Sequence, residues 1–398
     1  VDPIAISCQR QKLWYRFGHM KVLMVTTSYP DDGKSNRGIF IQRLCRELVG
    51  QGVRVIVLTP RIFSHSPLFE QEQGIVVHRF RFPSGNKPLN QTETIPVFAM
   101  GVYMLSGLSR VLRLILKEKP DVIHGHWIVP AGLIAALAGF LTRTPVINTA
   151  RGMDVRVSEK GLVRLLFDLA VKLSQHVTVV SEAMRSRPSL SAAEVISSGV
   201  DEAFFRIAPD RSSKTVLHTR ALEKVYDVET LIRAVPLVLR QEPLARFVIV
   251  GTGSHEQGLK AMAHDLGVAS SVDFMGAVSH ETIAQLMEQA SVYVSSATAD
   301  GTSIALMEAM AAGLIPVVSN IEANQPLMEH GRDGYLFNPG DEKDLSEKLL
   351  DALSAGIPHQ TLENKRNEIK DMICWNSVAK RFMCSYNRLR FGTRQGGH

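Results

Sequence analysis

Cysteine is scarce in this chain of 398 residues, and its four cysteines, Cys8, Cys45, Cys374 and Cys384, show no metal-binding spacing. A small disulfide scaffold is therefore excluded, and the pattern fits a reducing cytoplasm. Long apolar runs are also lacking. The longest, residues 127–141, is shorter than the roughly 20 residues of a membrane-spanning helix. We predict that this run and residues 96–109 are buried segments, with a membrane hairpin as the alternative.

Clustered positive charge is absent from most of the chain. The net charge is +6, but residues 375–398 carry five basic residues and no acid, and residues 1–19 carry a further excess of two. The segment between them is close to neutral, which excludes the broad basic surface that nucleic-acid binding requires. The basic C-terminal segment is either a solvated helix face or a contact for anionic lipid.

The composition is that of a globular protein, with 45% hydrophobic and 21% charged residues. At roughly 150 residues per domain, the length predicts two or three domains. Residues 1–19 lack the apolar stretch and small-residue cleavage site of a signal peptide. Because Gly18-His19-Met20 resembles the junction of an expression tag, we expect residues 1–19 to be a tag or leader and Met20 to be the native start.

From residue 20 onwards, short β-rich runs alternate with helix-period segments, which predicts parallel βαβ units. The fold class is therefore α/β, with two doubly wound, Rossmann-like domains that face each other across a cleft. We predict these domains at residues 20–200 and 214–374, joined by a linker at 201–213, with residues 375–398 packing back on the first domain. The predicted strands are 21–27, 53–58, 121–124, 145–148, 177–180, 215–218, 247–250, 272–275, 292–295 and 315–319.

The loop after the fourth strand of the second half combines an acid, a glycine and two hydroxyls. Asp300 and Gly301 precede Thr302 and Ser303, either of which can cap the next helix. Free backbone N–H groups and the helix dipole at such a start favour phosphate, and Gly301 allows close approach of a ligand. Glu308 lies on the apolar stripe of that helix. Its carboxylate therefore either pairs with a protein cation or accepts hydrogen bonds from ligand hydroxyls.

Two further loops of the second half carry candidate ligands. Gly251 and Gly253 form a glycine turn directly after a strand, which is either a ligand-binding turn or a plain tight turn. Arg220 follows the first strand of this half, and Lys224 comes four residues later. Cations in such a loop can hold a diphosphate, although an ordinary charged surface loop has the same composition.

In their order along the chain, the motifs resemble the retaining, two-Rossmann-domain glycosyltransferases of family 4, or group 1, which have the GT-B fold. The resemblance covers residues 20 to about 389. The segments that carry it are Ser28-Tyr29-Pro30, Gly38-Ile39-Phe40, His124-Gly125-His126-Trp127, Arg151-Gly152-Met153-Asp154, Ser198-Gly199-Val200-Asp201, Val250-Gly251-Thr252-Gly253, the E-x7-E-like pair Asp300 and Glu308, and Gly334-Tyr335-Leu336.

The resemblance implies that the second domain binds a nucleotide-diphosphate sugar and the first domain an acceptor. Glu308 would accept hydrogen bonds from the ribose, and Asp300 would lie near the donor sugar. Arg220 and Lys224 would neutralise the departing diphosphate. The resemblance implies neither a metal nor another cofactor. Further donor contacts would come from Gly38, Gly251, Gly253, Gly301, Thr302, Ser303 and Ile304, acceptor-side contacts from His124 and His126, and further catalytic contacts from Arg151 and Asp154.

The sequence departs from the family pattern at three positions. Asp300 is one methylene shorter than the usual glutamate, and Lys224 comes one residue early, so that Val225 occupies the usual position. Arg151 stands where the family commonly has histidine. Arginine cannot act as a general base near neutral pH, because its pKa exceeds about 12. Either the leaving phosphate acts as the base, or the acceptor is anionic, or activity is reduced.

We therefore expect a retaining hexosyl- or N-acetylhexosaminyltransferase that acts on a glycan, lipid or small-molecule hydroxyl. The alternatives are a catalytically weakened sugar-nucleotide-binding protein, which Arg151 favours, and a same-fold sugar-nucleotide epimerase. The expected partners are a nucleotide sugar and a glycan or lipid-linked acceptor, without nucleic acid. The expected location is the cytoplasm, with peripheral contact at the inner face of an anionic membrane.

Overall fold

The computed structural model describes residues 20–31, 37–86, 97–159, 161–301, 303–354 and 356–392. The expected leader at 1–19 and the expected donor contact Thr302 lie outside the described residues. The chain divides into two compact units. Unit 1 contains residues up to Ser197 together with those from Val378 onwards, and unit 2 is Ser198–Ser377. Residues 201–213, which the sequence analysis treats as a linker, are grouped with unit 2, where Phe204 is buried.

Unit 1 is built on an eight-stranded sheet in the order β3-β4-β2-β1-β5-β6-β7-β8, parallel except for the antiparallel pair β3 and β4. Helices connect the parallel strands, as the alternating pattern predicts. The strands are β1 (Lys21–Thr26), β2 (Arg54–Pro60), β3 (Phe69–Glu72), β4 (Ile75–Phe80), β5 (Val122–His126), β6 (Val146–Ala150), β7 (His176–Val179) and β8 (Glu194–Val195). The helices are α1 (Ile39–Gly50), α2 (Val97–Glu118), α3 (Leu133–Thr142), α4 (Met153–Val157) and α5 (Gly161–Leu173).

Unit 2 is built on a six-stranded sheet in the order β11-β10-β9-β12-β13-β14, with every pair parallel. The strands are β9 (Thr215–His218), β10 (Arg246–Val250), β11 (Val272–Gly276), β12 (Val292–Ser295), β13 (Ile315–Ser319) and β14 (Tyr335–Phe337). The helices are α6 (Val228–Leu239), α7 (Glu256–Asp265), α8 (His280–Gln289), α9 (Ile304–Ala312), α10 (Glu342–Ser354) and α11 (His359–Ile373). The α/β prediction of two Rossmann-like domains is confirmed.

The hydrophobic cores follow the predicted periodicity. In α1, Ile41, Leu44, Cys45 and Leu48 are fully buried, because their spacing places them on one stripe of the helix. Strands such as β2 and β13 are buried on both faces, as expected where helices cover both sides of a parallel sheet.

The last helix, α12 (Trp375–Gly392), contributes its residues from Val378 onwards to unit 1. Phe382 and Tyr386 are buried there, and Arg390 pairs with Asp121 at 3.1 Å. The sequence analysis expects residues 375–398 to pack back on the first domain. The described part of that segment from Val378 onwards is grouped with unit 1.

Helix α2 corrects one prediction. Its apolar sequence suggests a buried segment, but only one face is buried, at residues such as Tyr103 and Val111. Val97, Phe98 and Leu105 are 89%, 77% and 72% exposed. By length and composition alone, α2 is also the one helix among the described residues that is apolar enough to cross a membrane, which is weak evidence for a span.

Candidate functional site

Arg220 and Asp300 meet at the carboxyl edge of the sheet of unit 2. Arg220 follows β9 and Asp300 lies beyond β12, and these two strands are neighbours in the sheet. Their loops therefore emerge side by side, and Arg220 Nη2 lies 2.6 Å from Asp300 Oδ2. The two side chains are 11% and 13% exposed, so the ion pair is almost wholly withdrawn from water. Both residues are candidates from the sequence, and the structure brings them together.

The guanidinium of Arg220 is also held by an aromatic ring. It lies over Tyr226, 4.4 Å from the ring centroid, in a cation–π contact. Burial alone would lower the pKa of Arg220, but Asp300 and the neighbouring tyrosines outweigh that effect and raise the pKa. The cation is therefore fixed in place and charged at every physiological pH.

The glycine turn after β10 supports the loop of Arg220. Gly251 has φ +136°, and a Cβ atom there would lie 2.3 Å from the carbonyl oxygen of Arg220. A Cβ atom on Gly253 would lie 2.3 Å from the carbonyl oxygen of Leu222. The Leu222 N–H donates to the Thr252 carbonyl at 3.0 Å. The sequence left open whether this is a ligand-binding turn or a plain tight turn. The close packing of the two backbones is sufficient to explain both glycines, as in a plain tight turn.

Helix α9 begins directly after this ion pair. Asp300 Oδ1 accepts a hydrogen bond from the Gly301 N–H at 2.8 Å, which fixes the loop. Of the two residues that the sequence allows as the cap, Ser303 occupies the N-cap position without a capping hydrogen bond from its side chain, and Thr302 lies outside the described residues. Ile304 opens the helix, so the amino end of α9 and the Arg220 guanidinium lie within one short stretch of structure. The helix dipole favours negative charge at this end, and the charge of Arg220 is balanced there by Asp300.

Glu308 is buried in the middle of α9. Its Oε1 lies 3.4 Å from Nε2 of His280, the first residue of α8, and Phe204 packs edge-on against that imidazole with 4.8 Å between ring centroids. The sequence left open whether this carboxylate meets a protein cation or ligand hydroxyls. His280 is a partner that the sequence analysis missed. Its side chain is 35% exposed, so a ligand can reach it.

Lys224 begins a short 3-10 turn and is exposed. It lines a pocket of about 600 Å³, and neither Arg220 nor Asp300 is among the walls of that pocket. The structure shows no contact between Lys224 and the Arg220–Asp300 pair. The walls of the pocket are Leu222, Glu223, Lys224, Val225, Asp227, Val228, Glu229, His255, Leu259 and Thr298.

In unit 1, His124 lies in the middle of β5 in a closed hydrogen-bond network. Its Nδ1 lies 2.7 Å from the Tyr386 hydroxyl, and its Nε2 lies 2.7 Å from Thr149 Oγ1. Both ring nitrogens are occupied and the side chain is fully buried. Burial holds the pKa of His124 well below its usual range, and the positive charge of Arg151 lowers it further. This arrangement makes His124 a neutral structural anchor between β5 and α12.

His126, at the carboxyl end of β5, and Arg151 form a second pair. Arg151 Nη2 donates to His126 Nδ1 at 3.1 Å, which requires a neutral imidazole with its proton on Nε2. The guanidinium also lies over Phe40 at 4.8 Å, and Phe40 in turn contacts Trp127 with 5.6 Å between ring centroids. Burial lowers the pKa of Arg151 to about 10, so the residue remains a cation at neutral pH.

Asp154 holds the loop that carries Arg151. Its Oδ1 accepts the backbone N–H groups of Arg151 (2.9 Å) and Gly152 (3.0 Å), and its Oδ2 accepts that of Ile128 (2.7 Å). Burial raises the pKa of Asp154, and these amides oppose the shift. The sequence analysis names Asp154 as catalytic, whereas these contacts are those of a positioning residue.

Gly38 precedes α1 with φ +70°. A Cβ atom there would lie 2.4 Å from the carbonyl oxygen of Ser28, so only glycine fits. Arg37 stabilises the same loop by a bidentate contact with Asp31. Its Nε donates to Oδ2 at 2.8 Å, and its Nη2 donates to Oδ1 at 3.0 Å. Across the residues that the structure describes, no three His, Cys, Asp or Glu side chains form a metal-binding group.

Comparisons with known proteins follow the same division of the chain. A family model for group 1 glycosyl transferases matches residues 200–370, and one for a glycosyl transferase 4-like domain matches residues 38–188. The chain is 23% identical over 390 residues to the gpi3 subunit of phosphatidylinositol N-acetylglucosaminyltransferase from Schizosaccharomyces pombe. The match covers 91% of this chain and 80% of that protein.

Two further similarities cover almost the whole chain. Glycogen synthase of Mycobacterium tuberculosis is 25% identical over 408 residues, which are 94% of this chain and 96% of that protein. The solved structure of Anabaena HepE in complex with UDP-glucose has a TM-score of 0.69 at 19% identity, over 93% of this chain and all of that chain.

Proposed function

The chain belongs to the GT-B group 1 glycosyltransferase family, and from that premise we propose that it transfers a hexosyl or N-acetylhexosaminyl group from a nucleotide-diphosphate sugar to a hydroxyl group, with retention of the anomeric configuration. In this proposal unit 2 binds the donor and unit 1 binds the acceptor. The acceptor is a glycan or a lipid-linked molecule. A lipid acceptor is supported by the similarity to the gpi3 subunit of a phosphatidylinositol N-acetylglucosaminyltransferase.

The observation that carries the proposal is the Arg220–Asp300 pair at the amino end of α9. In glycosyl transfer, negative charge develops on the departing diphosphate. Once the bound diphosphate has taken the place of Asp300 on Arg220, the guanidinium and the helix N-terminus stabilise such charge without reorganising during the reaction. The proposal therefore needs no metal ion for the leaving group. The acidic partner Asp300 lies near the donor sugar, where its carboxylate orients sugar hydroxyls.

Glu308 binds the ribose hydroxyls of the donor in this proposal. The carboxylate is buried, and its contact with His280 is long at 3.4 Å, so a hydroxyl can replace or share it. His280 then lies beside the nucleoside. Lys224 contributes positive charge from the pocket whose wall it forms.

Arg151 binds an anionic part of the acceptor or donor rather than acting as a base. Its charge is retained at neutral pH, its pKa is about 10, and its orientation is fixed by His126 and Phe40. Asp154 keeps the loop in place. The proton of the acceptor hydroxyl is taken by the leaving phosphate. The acceptor attacks on the face that this phosphate vacates, which gives retention.

The test begins with donor binding. We expect thermal unfolding to shift upwards with one class of nucleoside diphosphate and its sugars, since a ligand that binds the folded state stabilises it. Glu308→Gln should weaken that binding about 10- to 100-fold, because a hydrogen bond to a charged acceptor contributes about 1.5–3 kcal/mol. The control is Glu347→Gln on the exposed face of α10. A set of donors that leaves unfolding unchanged contradicts the proposal.

The second stage is turnover with lipid and glycan extracts. Arg220→Gln should lower kcat by about 10²–10³-fold, the usual loss when one fixed donor to an oxyanion is removed. Exposed Arg240→Gln is the matched control. Nuclear magnetic resonance of the first product should show the donor's anomeric configuration. The inverted configuration contradicts the retaining mechanism.

Arg151 favours one further candidate, a catalytically weakened sugar-nucleotide-binding protein. Arg151→His distinguishes the two functions. We expect the substitution to lower transfer, because it removes a cation that binds an anionic group. A large gain in transfer would instead identify a silenced enzyme. Sugar-nucleotide products formed without acceptor would identify the epimerase.

A further inference from the structure

Exposed apolar side chains are distributed unequally between the two units. Among the described residues, 15 large hydrophobic side chains of unit 1 are exposed, against four of unit 2. Scattered exposed leucines are normal on a protein surface, but an accumulation on one part of it indicates an interaction surface. The four in unit 2 are Leu244, Leu266, Met275 and Met372.

Most of the exposed apolar residues of unit 1 lie on one helical layer. Helix α3 packs against α2 on one side and α5 on the other. These three helices connect parallel strands of one sheet, so they run in the same direction, with their amino ends at the carboxyl edge of the strands. Arg151 lies at that edge, and α4 follows it directly. The exposed apolar residues of the layer are Val97, Phe98, Leu105, Leu116, Phe140, Leu141, Leu162, Val163, Leu165 and Leu169.

We define an apolar rim as Met153 and Val157 of α4, which directly follows Arg151, together with Leu162, Leu165 and Leu169 of α5. Met153 and Val157 are 57% and 58% exposed, and Leu162 and Leu165 are 70% and 67% exposed. The three leucines of α5 are spaced by three and four residues, so they share one outward stripe. The opposite face of α5 is anchored by buried Phe167 and Ala170, which keeps the stripe on the surface.

The charges around this layer are mostly positive. In the described parts of residues 97–173, the exposed basic side chains are Arg113, Lys117, Lys119, Arg143, Arg156, Arg164 and Lys172. The exposed acidic ones are Glu159 and Asp168, and Asp168 is 40% exposed and pairs with Arg164 and Arg187. Apolar side chains accompanied by basic ones fit the interface of an anionic bilayer, where acyl chains and phosphate headgroups lie a few ångströms apart. A second copy of this chain would bring like charges together.

We propose that the apolar rim inserts into the headgroup region of an anionic lipid bilayer, with Arg156 and Lys172 contacting lipid phosphates. The lipid then lies next to the loop of Arg151, which is where a membrane-embedded acceptor enters. This last point rests on the proposed function, whereas the docking surface does not. Helix α2 lies along the surface in this arrangement and does not cross the membrane, because Tyr103 and Val111 hold it in the core of unit 1.

The proposal moves the lipid contact away from the basic C-terminal helix that the sequence suggested. In α12, Arg390 pairs with Asp121, and Arg381 bonds the Val195 carbonyl and lies 3.9 Å from Glu194. These guanidinium groups are occupied within unit 1. Lys380 and Arg388 are the exposed basic residues among the described residues of α12, and they provide a control.

The test is co-sedimentation of the full chain with vesicles of phosphatidylcholine alone and of phosphatidylcholine with phosphatidylglycerol. We expect binding to the anionic vesicles and a fall in partitioning of at least about tenfold in the double variant Leu162→Glu/Leu165→Glu. Leu244→Glu in unit 2, where the leucine is 80% exposed, should bind as the parent chain does. Leu162→Ser/Leu165→Ser gives the same comparison without added charge if the glutamate variant does not fold.

The charge contribution is tested in the same assay. Arg156→Gln/Lys172→Gln should weaken binding to anionic vesicles about tenfold, and Lys380→Gln/Arg388→Gln should not. Absence of vesicle binding, or equal binding by all variants, overturns the proposal. So does a dimer of the parent chain that Leu162→Glu/Leu165→Glu dissociates, because a second copy is then the occupant of the rim. Thermal shifts with nucleoside diphosphates should be equal for the parent and the rim variants. This measurement therefore distinguishes a failure of donor binding from a failure of membrane binding.

Discussion

Replacing Asp300 by asparagine should separate stability from donor binding, because the aspartate and a bound diphosphate compete for the same guanidinium. Asp300 lies 2.6 Å from Arg220, and both side chains are almost fully buried. Removing one member of a buried ion pair costs about 3–5 kcal/mol. Asparagine can still accept the Gly301 N–H, so we expect the unfolding free energy to fall by about 3 kcal/mol.

A nucleoside diphosphate should recover part of this loss. At 100 times its dissociation constant, a ligand adds about 2.7 kcal/mol of stability to the unmodified protein. In Asp300→Asn the diphosphate becomes the counter-charge that Arg220 has lost, so the ligand should add at least about 1 kcal/mol more. Turnover should nevertheless fall about 10²-fold, because the carboxylate near the donor sugar is gone.

The assay is urea unfolding with and without nucleoside diphosphate, combined with steady-state turnover. The control is Asp265→Asn, whose side chain is 81% exposed and whose loss should change stability by less than about 0.5 kcal/mol. Equal destabilisation of Asp300→Asn with and without the ligand would refute the reasoning, because Arg220 would then not be the diphosphate ligand.

Three further predictions concern the supports of the two sites. Gly253→Val should lower the unfolding free energy by more than about 2 kcal/mol in denaturant titration and weaken donor binding, because its Cβ would meet the Leu222 carbonyl at 2.3 Å. The control, Gly258→Ala, has open space around it and should be neutral or stabilising. Equal effects of the two substitutions would argue against the packing explanation. Burial lowers the pKa of His218 to about 4, so this group stays neutral in the fold while the unfolded chain gains a proton below about pH 6.5. Stability should therefore decline from about pH 6.5 down to about pH 4 by at most about 1.4 kcal/mol per pH unit from this residue, and His218→Asn should reduce the slope, whereas an unchanged slope contradicts the assignment. Tyr386→Phe should lower the unfolding free energy by about 1–2 kcal/mol, because His124 Nδ1 loses its partner at 2.7 Å, and Tyr335→Phe on β14 is the control with a half-buried ring.

The sequence was sufficient to predict those strands that are buried on both faces. Runs such as residues 247–250 and 315–318 are continuously apolar, which is the signal of a central parallel strand. The strand β3 has the sequence Phe-Glu-Gln-Glu and lies at the edge of its sheet, so it carries no such signal. The strand β8 has only two residues.

Exposure of α2 could not be predicted from its composition. An apolar helix in the core and an apolar helix on a docking surface have similar sequences, and only packing distinguishes them. The buried face runs through Tyr103, Gly107 and Val111, while Val97 and Phe98 extend from the layer. Apolar residues therefore occur on both the buried and the exposed face of the helix. The sequence pattern does not distinguish the two faces, and only the structure shows which one is exposed.

Part of the candidate site could be predicted from the sequence, and part of it could not. Arg220 and Asp300 were identifiable because each follows a strand, and neighbouring strands bring their loops together. His280 was missed because it lies 28 positions before Glu308 on a different helix, so no local sequence signal indicates their contact. Phe40 lies in a segment that was noted for its resemblance, but its contact with Arg151 depends on the orientation of α1.

The most direct measurement is a crystal structure of the full chain with the nucleoside diphosphate that gives the largest thermal shift. We predict a phosphate oxygen about 3 Å from the Arg220 guanidinium and ribose hydroxyls bonded to Glu308. A ligand bound elsewhere, with the Arg220–Asp300 pair unchanged at 2.6 Å and Glu308 still against His280, would contradict the proposed donor site.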